Sequence, residues 1–332
     1  MPALHRSGLP LLRHWWLCVL VGLMSAVSRQ ALATEPKPGL RILTTFAPIH
    51  SWTLNIVGDD ASVELLLPGD VGPHDFQLRP QDLRKIRQAD LIIANGLGIE
   101  GWLDKAIAGN AKESASRIVQ VSKGLKSQLI YHLPVLSLDP KTARQKDHGH
   151  SHGRDHDHEA EGEAPNPHVW LDPMLASHGV SNIVEALIRA DPSHATGYRT
   201  RASEYLTKLV ALDDEIQKGL RSVTNRTIVT YHDAFPYFCR RYGLELAGVI
   251  EEVPAVSPSP KYLANLSAVI RARQVRVIFT EPQFNPRLVK QLARDLGIQF
   301  TDLDVLETGK ATAAFYEDAM RRNLRSLQTT LR

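Results

Sequence analysis

Three histidines of this sequence lie in short motifs that could bind a metal ion. His74 lies in GPHDF, His168 in NPHVWLDP and His232 in YHDAF. A proline directly precedes the first two and stiffens the backbone that has to hold each imidazole in a fixed direction. Imidazole suits zinc, whereas carboxylate-rich ligand sets favour manganese. One such histidine would indicate a hydrogen-bonded loop residue, but the three together predict a metal site.

A fourth, oxygen ligand is available from two acidic residues in the C-terminal half. Asp304 follows a predicted strand at 299–303, and Glu281 follows a predicted strand at 275–280. We expect Asp304 to complete the site in preference to Glu281 or to a water molecule.

A second, weaker metal-binding segment is predicted in the tract DHGHSHGRDHDHEAEGEA, residues 147–164. It has five histidines, six acidic residues and no aliphatic side chain larger than alanine, so it cannot offset the entropy of ordering and is predicted to be a mobile loop. Histidines two residues apart can reach one cation, but organising such a segment costs affinity. The alternative is a solvated insert that binds metal only incidentally. The histidines concerned are His148, His150, His152, His156 and His158.

The elements that must position these side chains alternate between short β-rich runs and amphipathic stretches. This alternation predicts an α/β fold with parallel sheets. The three motif histidines then lie at or beyond strand ends or in loops, where open α/β sheets place their ligands. The predicted strands are 41–45, 62–66, 90–94, 117–121, 227–231, 244–250, 275–280 and 299–303, with helices including 81–88 and 286–296.

A long helix is predicted between the two α/β halves, at 191–222. Leucine and isoleucine side chains recur there at spacings of three and four residues, from Leu206 to Ile216, which puts them on one helix face. Such a helix would be roughly 40 Å long and would join an N-terminal lobe, 34–190, to a C-terminal lobe, 223–332. The predicted fold is therefore two lobes of parallel β-sheet flanked by helices and joined by one long rigid helix.

The N-terminal stretch 1–33 has the three parts of a secretory signal peptide. Arg6 and Arg13 precede an apolar run at 15–27, and the small residues Ala31 and Ala33 follow. The mature protein is therefore expected in the periplasm. Cys239 is the single cysteine beyond this stretch, so an intramolecular disulfide is excluded.

The charge of the remaining chain argues against a nucleic-acid partner. The whole sequence has 39 basic and 36 acidic residues, and the signal stretch contains three of the basic ones and no acid. The mature body is thus neutral and offers no net electrostatic footprint for a polyanion. As a separate expectation, the protein is predicted to be a monomer.

At the level of motifs the chain resembles the zinc-uptake solute-binding proteins of ABC transporters. The matching segments, in order, are GPHDFQLRPQDLRKIRQADLIIANGLGIE, a His-rich loop, NPHVWLDP, YHDAFPYFCRRYGL, and VIFTEPQF followed by LDVLETG. The resemblance implies that Zn²⁺ binds in a cleft between the lobes, with His74, His168 and His232 as ligands and Asp304 at the position of the later acidic ligand. It also implies delivery of Zn²⁺ to a membrane permease.

Two departures from the family pattern accompany this resemblance. The usual Asp-Pro-Leu-Gly reads DVLE from Asp304 onward, and Cys239 lacks the disulfide partner of enteric relatives. Manganese-preferring relatives place Glu where this chain has His232, so that residue favours zinc. A manganese-binding protein or a metal-dependent adhesin remains the alternative.

A zinc hydrolase is the rival from another functional class, because catalytic zinc also has three protein ligands and one open position. Asp75 and Asp233 adjoin the motif histidines and are candidate bases. Neither lies in a zinc-hydrolase motif such as H-E-x-x-H, so we expect a carrier and not an enzyme.

Overall fold

The computed structural model describes residues 39–107, 116–131, 164–251 and 257–332. The elements given below all belong to one compact unit, Leu40–Arg332. The predicted signal peptide and the histidines of the 147–164 tract lie outside the described residues. Within the described ranges, no helix combines the length and hydropathy that a membrane span requires.

The N-terminal half forms a four-stranded parallel sheet of order β2-β1-β3-β4. The interior strand β3 has the sequence LIIA and is buried throughout, as expected for a strand covered on both faces. The strands are β1 (Leu40–Thr44), β2 (Ala61–Leu65), β3 (Leu91–Ala94) and β4 (Ile118–Gln120), and the helices between them are α1 (Ala47–Val57), α2 (Pro80–Gln88) and α3 (Gly101–Ile107).

The C-terminal half repeats this architecture in a second parallel sheet, of order β6-β5-β7-β8. Its strands are β5 (Thr227–His232), β6 (Glu245–Glu251), β7 (Val277–Thr280) and β8 (Gln299–Asp302), and its helices include α6 (Pro236–Tyr242), α7 (Pro260–Ala272) and α8 (Arg287–Leu296). Each predicted strand coincides with an observed one to within a few residues, and the two-sheet α/β fold is confirmed.

Two long helices connect the sheets, α4 (Pro173–Ala190) and α5 (Ala195–Gly219). The predicted helix 191–222 is shorter in the structure, with 25 residues. A separate 3₁₀ turn at Pro192–His194 precedes it, because the proline and the preceding aspartate favour a turn over a continuous helix. Helix α5 buries the predicted apolar face against α1 and α4.

The last helix, α9 (Phe315–Thr330), packs on α5 and returns to the first helix, α1. The Ser51 hydroxyl donates to the Ala313 carbonyl (3.0 Å) and accepts from the Tyr316 N–H (3.3 Å). Trp52 packs edge-on against Tyr316, with ring centroids 5.4 Å apart. The final helix of the chain thus packs against the N-terminal half, and the lobe limits at 190 and 222 stay predictions.

Candidate metal centre

The structure brings the three motif histidines together at the carboxyl ends of the two sheets. The Nε2 atom of His168 lies 3.3 Å from Nε2 of His74 and 3.1 Å from Nε2 of His232. A carboxylate oxygen of Glu307 lies 3.6 Å from Nε2 of both His74 and His168. One donor atom from each of these four residues, His74, His168, His232 and Glu307, lies within 4.8 Å of the others, and we call these four residues the donor group.

These distances fit a tetrahedral ion. Zinc–nitrogen bonds of about 2.0–2.1 Å give a tetrahedron whose edges measure about 3.3 Å. The measured Nε2 separations, 3.1 and 3.3 Å, match such edges. Nitrogen lone pairs directed at a common point repel one another unless a cation or a proton lies between them, so the arrangement suits a metal ion.

His168 lies directly before the short turn that precedes helix α4. Its ring Nδ1 and its backbone N–H both lie within hydrogen-bond distance of the Asn166 side-chain oxygen, at 2.9 and 3.0 Å. Because that oxygen only accepts, Nδ1 has the proton and Nε2 presents its lone pair to the centre. A 3₁₀ turn follows, and then Asp172 caps α4 by accepting from the Met174 N–H (2.8 Å).

His232 is the last residue of the interior strand β5, and a carboxylate holds its ring. The Glu281 carboxylate lies 2.5 Å from Nδ1 and also accepts from the backbone N–H of His232 (3.3 Å). The Nε2 atom of His232 is therefore directed to the centre. Carboxylate–histidine pairs of this kind fix the tautomer of a metal ligand and raise its basicity. Glu281, the predicted substitute ligand, thus contacts a ligand in the structure and is not a member of the donor group.

His74 lies in the loop after β2 and is the most exposed of the four donors. The indole N–H of Trp102 donates to the Pro73 carbonyl (3.1 Å), and Phe76 packs edge-on against the same indole with centroids 4.9 Å apart. These contacts immobilise the loop on both sides of the histidine. A cavity of about 890 Å³ opens beside it and includes His168 and His232 in its wall.

The carboxylate of the donor group belongs to Glu307, and not to Asp304, the residue expected from the sequence. The Asp304 side chain accepts from the Leu306 N–H (2.8 Å) and pairs with Arg322 (3.3 Å), and it is not a member of the donor group. Leu306 then adopts a left-handed conformation with φ of 65°, a sharp turn that directly precedes Glu307. Because of these contacts the structure does not bring Asp304 to the histidines, and the carboxylate that lies beside them is that of Glu307.

A glycine on the opposite lobe makes room for this carboxylate. A Cβ atom at Gly72 would lie 2.7 Å from the second oxygen of Glu307, closer than van der Waals contact permits. The missing side chain therefore allows the loop that contains His74 to approach Glu307. The other oxygen of Glu307 is buried without a hydrogen-bond partner, and a buried carboxylate oxygen left so is costly unless a cation or proton compensates it.

The electrostatics of the centre favour a cation. Burial raises the pKa of Glu307 to about 8, although the adjacent His232 opposes the rise. Burial lowers the pKa of His232, but the carboxylates of Glu281 and Glu307 outweigh this effect and raise it to about 9. In the absence of metal, protons therefore compensate charges that a divalent ion would otherwise compensate.

A two-lobed α/β fold with a histidine and carboxylate donor set where its lobes meet defines a metal-binding solute-binding protein. The chain belongs to the family described as zinc-uptake complex component A, periplasmic, ZnuA, whose family model matches residues 42–330.

Two curated relatives show what the chain is similar to. The high-affinity zinc uptake system protein ZnuA of Bacillus subtilis is 31% identical over 317 residues, which are 94% of this chain and 94% of that protein. The zinc-binding protein AdcA of Streptococcus pyogenes is 30% identical over 88% of this chain. The match spans 56% of AdcA, so this chain covers little more than half of that relative's length.

Two solved structures are similar to this chain in fold. The solute-binding protein FpvC of Pseudomonas aeruginosa, in complex with Mn²⁺, has a TM-score of 0.74 at 27% identity and covers 89% of this chain and 99% of its own. A Zn(II)-bound mutant variant of AdcAII from Streptococcus pneumoniae has a TM-score of 0.73 at 26% identity, over 90% of this chain and 100% of its own.

Proposed function

We propose that this protein captures Zn²⁺ between its lobes and delivers it to the membrane permease of an ABC-type importer. The observation that supports this most strongly is the donor group of His74, His168, His232 and Glu307, whose spacing suits a tetrahedral ion. Three imidazoles and one carboxylate form a borderline donor set, which suits zinc better than manganese. The zinc-uptake family to which the chain belongs supports the same cargo.

A carrier role, and not catalysis, is supported by the number of donors. Catalytic zinc keeps an open position for water or substrate, whereas closed four-ligand sites hold the ion. Here four protein side chains contribute one donor atom each. We propose the periplasm as the place of action, with the stretch 1–33 as the exported protein's signal peptide, and a monomer as the working form.

Zinc titration of the purified mature protein tests this proposal. Isothermal titration calorimetry with metal analysis should give one tight site per chain, with zinc preferred over manganese in competition. The proposal would be contradicted if the wild-type protein bound zinc no more tightly than a double variant with His178→Ala and His232→Ala. His178→Ala alone is the matched control, because that histidine contacts the Lys123 carbonyl (2.6 Å) and is not a member of the donor group.

The histidine tract is proposed to collect zinc near the cleft. Deleting 147–164 should lower the zinc-to-protein ratio at saturation and leave the tight site unchanged. A variant of equal length with serine in place of the tract's five histidines separates metal binding from the effect of shortening. Loss of the tight site in either variant would mean that the tract supplies a primary ligand, and an unchanged ratio would mean that it binds no zinc.

A further inference from the structure

Asn166 joins the two halves of the donor group through one buried side chain. It is fully buried. Its side-chain oxygen accepts from the backbone N–H of His168, at 3.0 Å, and lies 2.9 Å from ring Nδ1 of the same residue. Its side-chain nitrogen donates to the backbone carbonyl of Asp233 (2.7 Å) and to the Asp233 carboxylate (3.2 Å). Asp233 directly follows the ligand His232 on the other lobe.

The direction of this amide is fixed by its partners. The backbone N–H of His168 can only donate, so the side-chain oxygen has to face it. The carbonyl of Asp233 can only accept, so the side-chain nitrogen has to face that side. The asparagine side chain therefore accepts one hydrogen bond and donates another, which no carboxylate or aliphatic side chain of similar size can do.

The backbone of Asn166 is also held from both lobes. Its N–H donates to the Ile130 carbonyl in the N-terminal half (2.7 Å), and its carbonyl accepts from the Tyr237 hydroxyl on α6 (2.7 Å). The same hydroxyl accepts from the Ile130 N–H (3.1 Å). Tyr237 is fully buried, so water does not readily replace these bonds.

We propose that Asn166 is a positioning residue that couples the His168 imidazole to the C-terminal lobe. The lobe holds the amide through Asp233 and Tyr237, and the amide holds the ring with its Nε2 directed at the metal. Movement of the C-terminal lobe away from Asn166 loosens the His168 ring, so zinc affinity falls as the lobes separate. This inference rests on the proposed function, since it describes how a carrier releases its cargo.

Substitution of Asn166 by aspartate distinguishes coupling from simple support of the ring. Aspartate keeps the oxygen that accepts from His168, and a carboxylate partner strengthens an imidazole ligand. It replaces the donor that faces Asp233 with a second acceptor, which is repelled by the Asp233 oxygens. Support of the ring alone would leave zinc binding equal or tighter, whereas coupling to the other lobe requires it to weaken.

The experiment measures zinc dissociation from the full-length mature protein by stopped-flow competition with a chromogenic chelator. We expect Asn166→Asp to raise the dissociation rate by about tenfold or more, within the roughly 10–100-fold range for outer partners of metal ligands. Tyr237→Phe removes only the hydroxyl that ties the lobes at this point, and we expect a rise of about threefold. An Asn166→Asp protein that releases zinc at the wild-type rate or more slowly would overturn the inference.

Asn182→Ala is the matched control for loss of asparagine hydrogen bonds. Its side chain donates to the Val121 and Lys123 carbonyls, both at 2.9 Å and within the N-terminal half. It should unfold at a lower temperature without releasing zinc faster, which separates positioning from general stability. If Asn166→Asp does not fold, a wild-type rate in Tyr237→Phe overturns the inference by itself. Absence of tight zinc binding in the wild-type protein would instead refute the proposed function.

Discussion

The two lobes share one strand order but contribute different chemistry to the centre. The N-terminal half presents two imidazoles from loops, and the His168 ring is held by a neutral amide. The C-terminal half presents one imidazole at a strand end, held by the Glu281 carboxylate, together with Glu307. Most of the negative charge that balances a divalent ion therefore lies on one side. The shared fold therefore fixes where the donor atoms lie, whereas the buried partners in each lobe decide the charge of those donors.

Two buried histidines, one in each lobe, show this difference directly. Burial lowers the pKa of His50 in α1 to about 4, and its ring Nδ1 lies 2.8 Å from the Thr44 hydroxyl. His232 is buried too, but adjacent carboxylates raise its pKa to about 9. The same side chain is thus neutral in one lobe and takes up a proton in the other.

Removal of a ligand imidazole from either lobe should have the largest effect. We expect His168→Ala and His232→Ala each to weaken zinc binding by about 100-fold or more, beyond the roughly 10–100-fold cost of losing an outer partner. Calorimetric titration of variants that also lack 147–164 measures this without a contribution from the histidine tract. Equal affinities for wild type and either variant would remove that residue from the ligand set.

The next effect separates two acidic residues of the C-terminal lobe. Glu307→Gln should weaken zinc binding by about tenfold or more, since it replaces a charged donor with a neutral one. Asp304→Asn should stay close to wild type, because its carboxylate contacts Arg322 and the Leu306 N–H. Zinc titrations of the pair measure this difference. The opposite order of affinities would restore Asp304 as the fourth ligand.

A third effect concerns proton release on zinc binding. A zinc ion can bind Nε2 of His232 only when this imidazole is neutral. The pKa of His232, raised to about 9, lies above neutral pH. Zinc therefore displaces a proton, and its affinity should fall as the pH decreases from about 9. Titrations in buffers of different ionisation enthalpy count the released protons. Glu281→Gln should reduce that count, and an unchanged count would show that Glu281 does not set the protonation of His232.

The smallest effect is expected from His50 in the N-terminal lobe. Its folded pKa of about 4 lies below the ordinary value of 6.5, so the unfolded chain takes up the proton first. The stability that this difference in pKa contributes is therefore present above about pH 6.5 and is lost as the pH falls towards 4. His50→Gln should reduce this acid loss in thermal unfolding of the metal-free protein, relative to wild type at each pH. A parallel pH dependence in both proteins would contradict the assignment to His50.

Local sequence patterns are enough to predict where the strands lie and which three histidines the structure brings together. The run LIIA of β3 is apolar and β-favouring, and each histidine lies in a short motif beside a strand or a proline. The comparisons confirm the two-lobed fold and the zinc-binding solute-binding family. Which residues bind the ion remains a prediction.

Glu307 could not be selected from local patterns, because its position depends on distant contacts. Arg322, eighteen residues beyond Asp304, draws that carboxylate away. The left-handed turn at Leu306 and the space above Gly72 then admit Glu307. The one available signal was the glutamate that replaces the usual glycine in DVLE. Asn166 was missed for a similar reason, since its importance comes from a partner 67 residues away.

The return of α9 to α1 has a consequence for how the protein is made. Its contacts with α1 join residues 51 and 316, which are 265 positions apart in the sequence, and the donor group extends from His74 to Glu307. Contacts of such long sequence separation form late and slow folding. A chain that emerges from a ribosome therefore has no complete donor group until Glu307, 233 residues beyond His74, has been made.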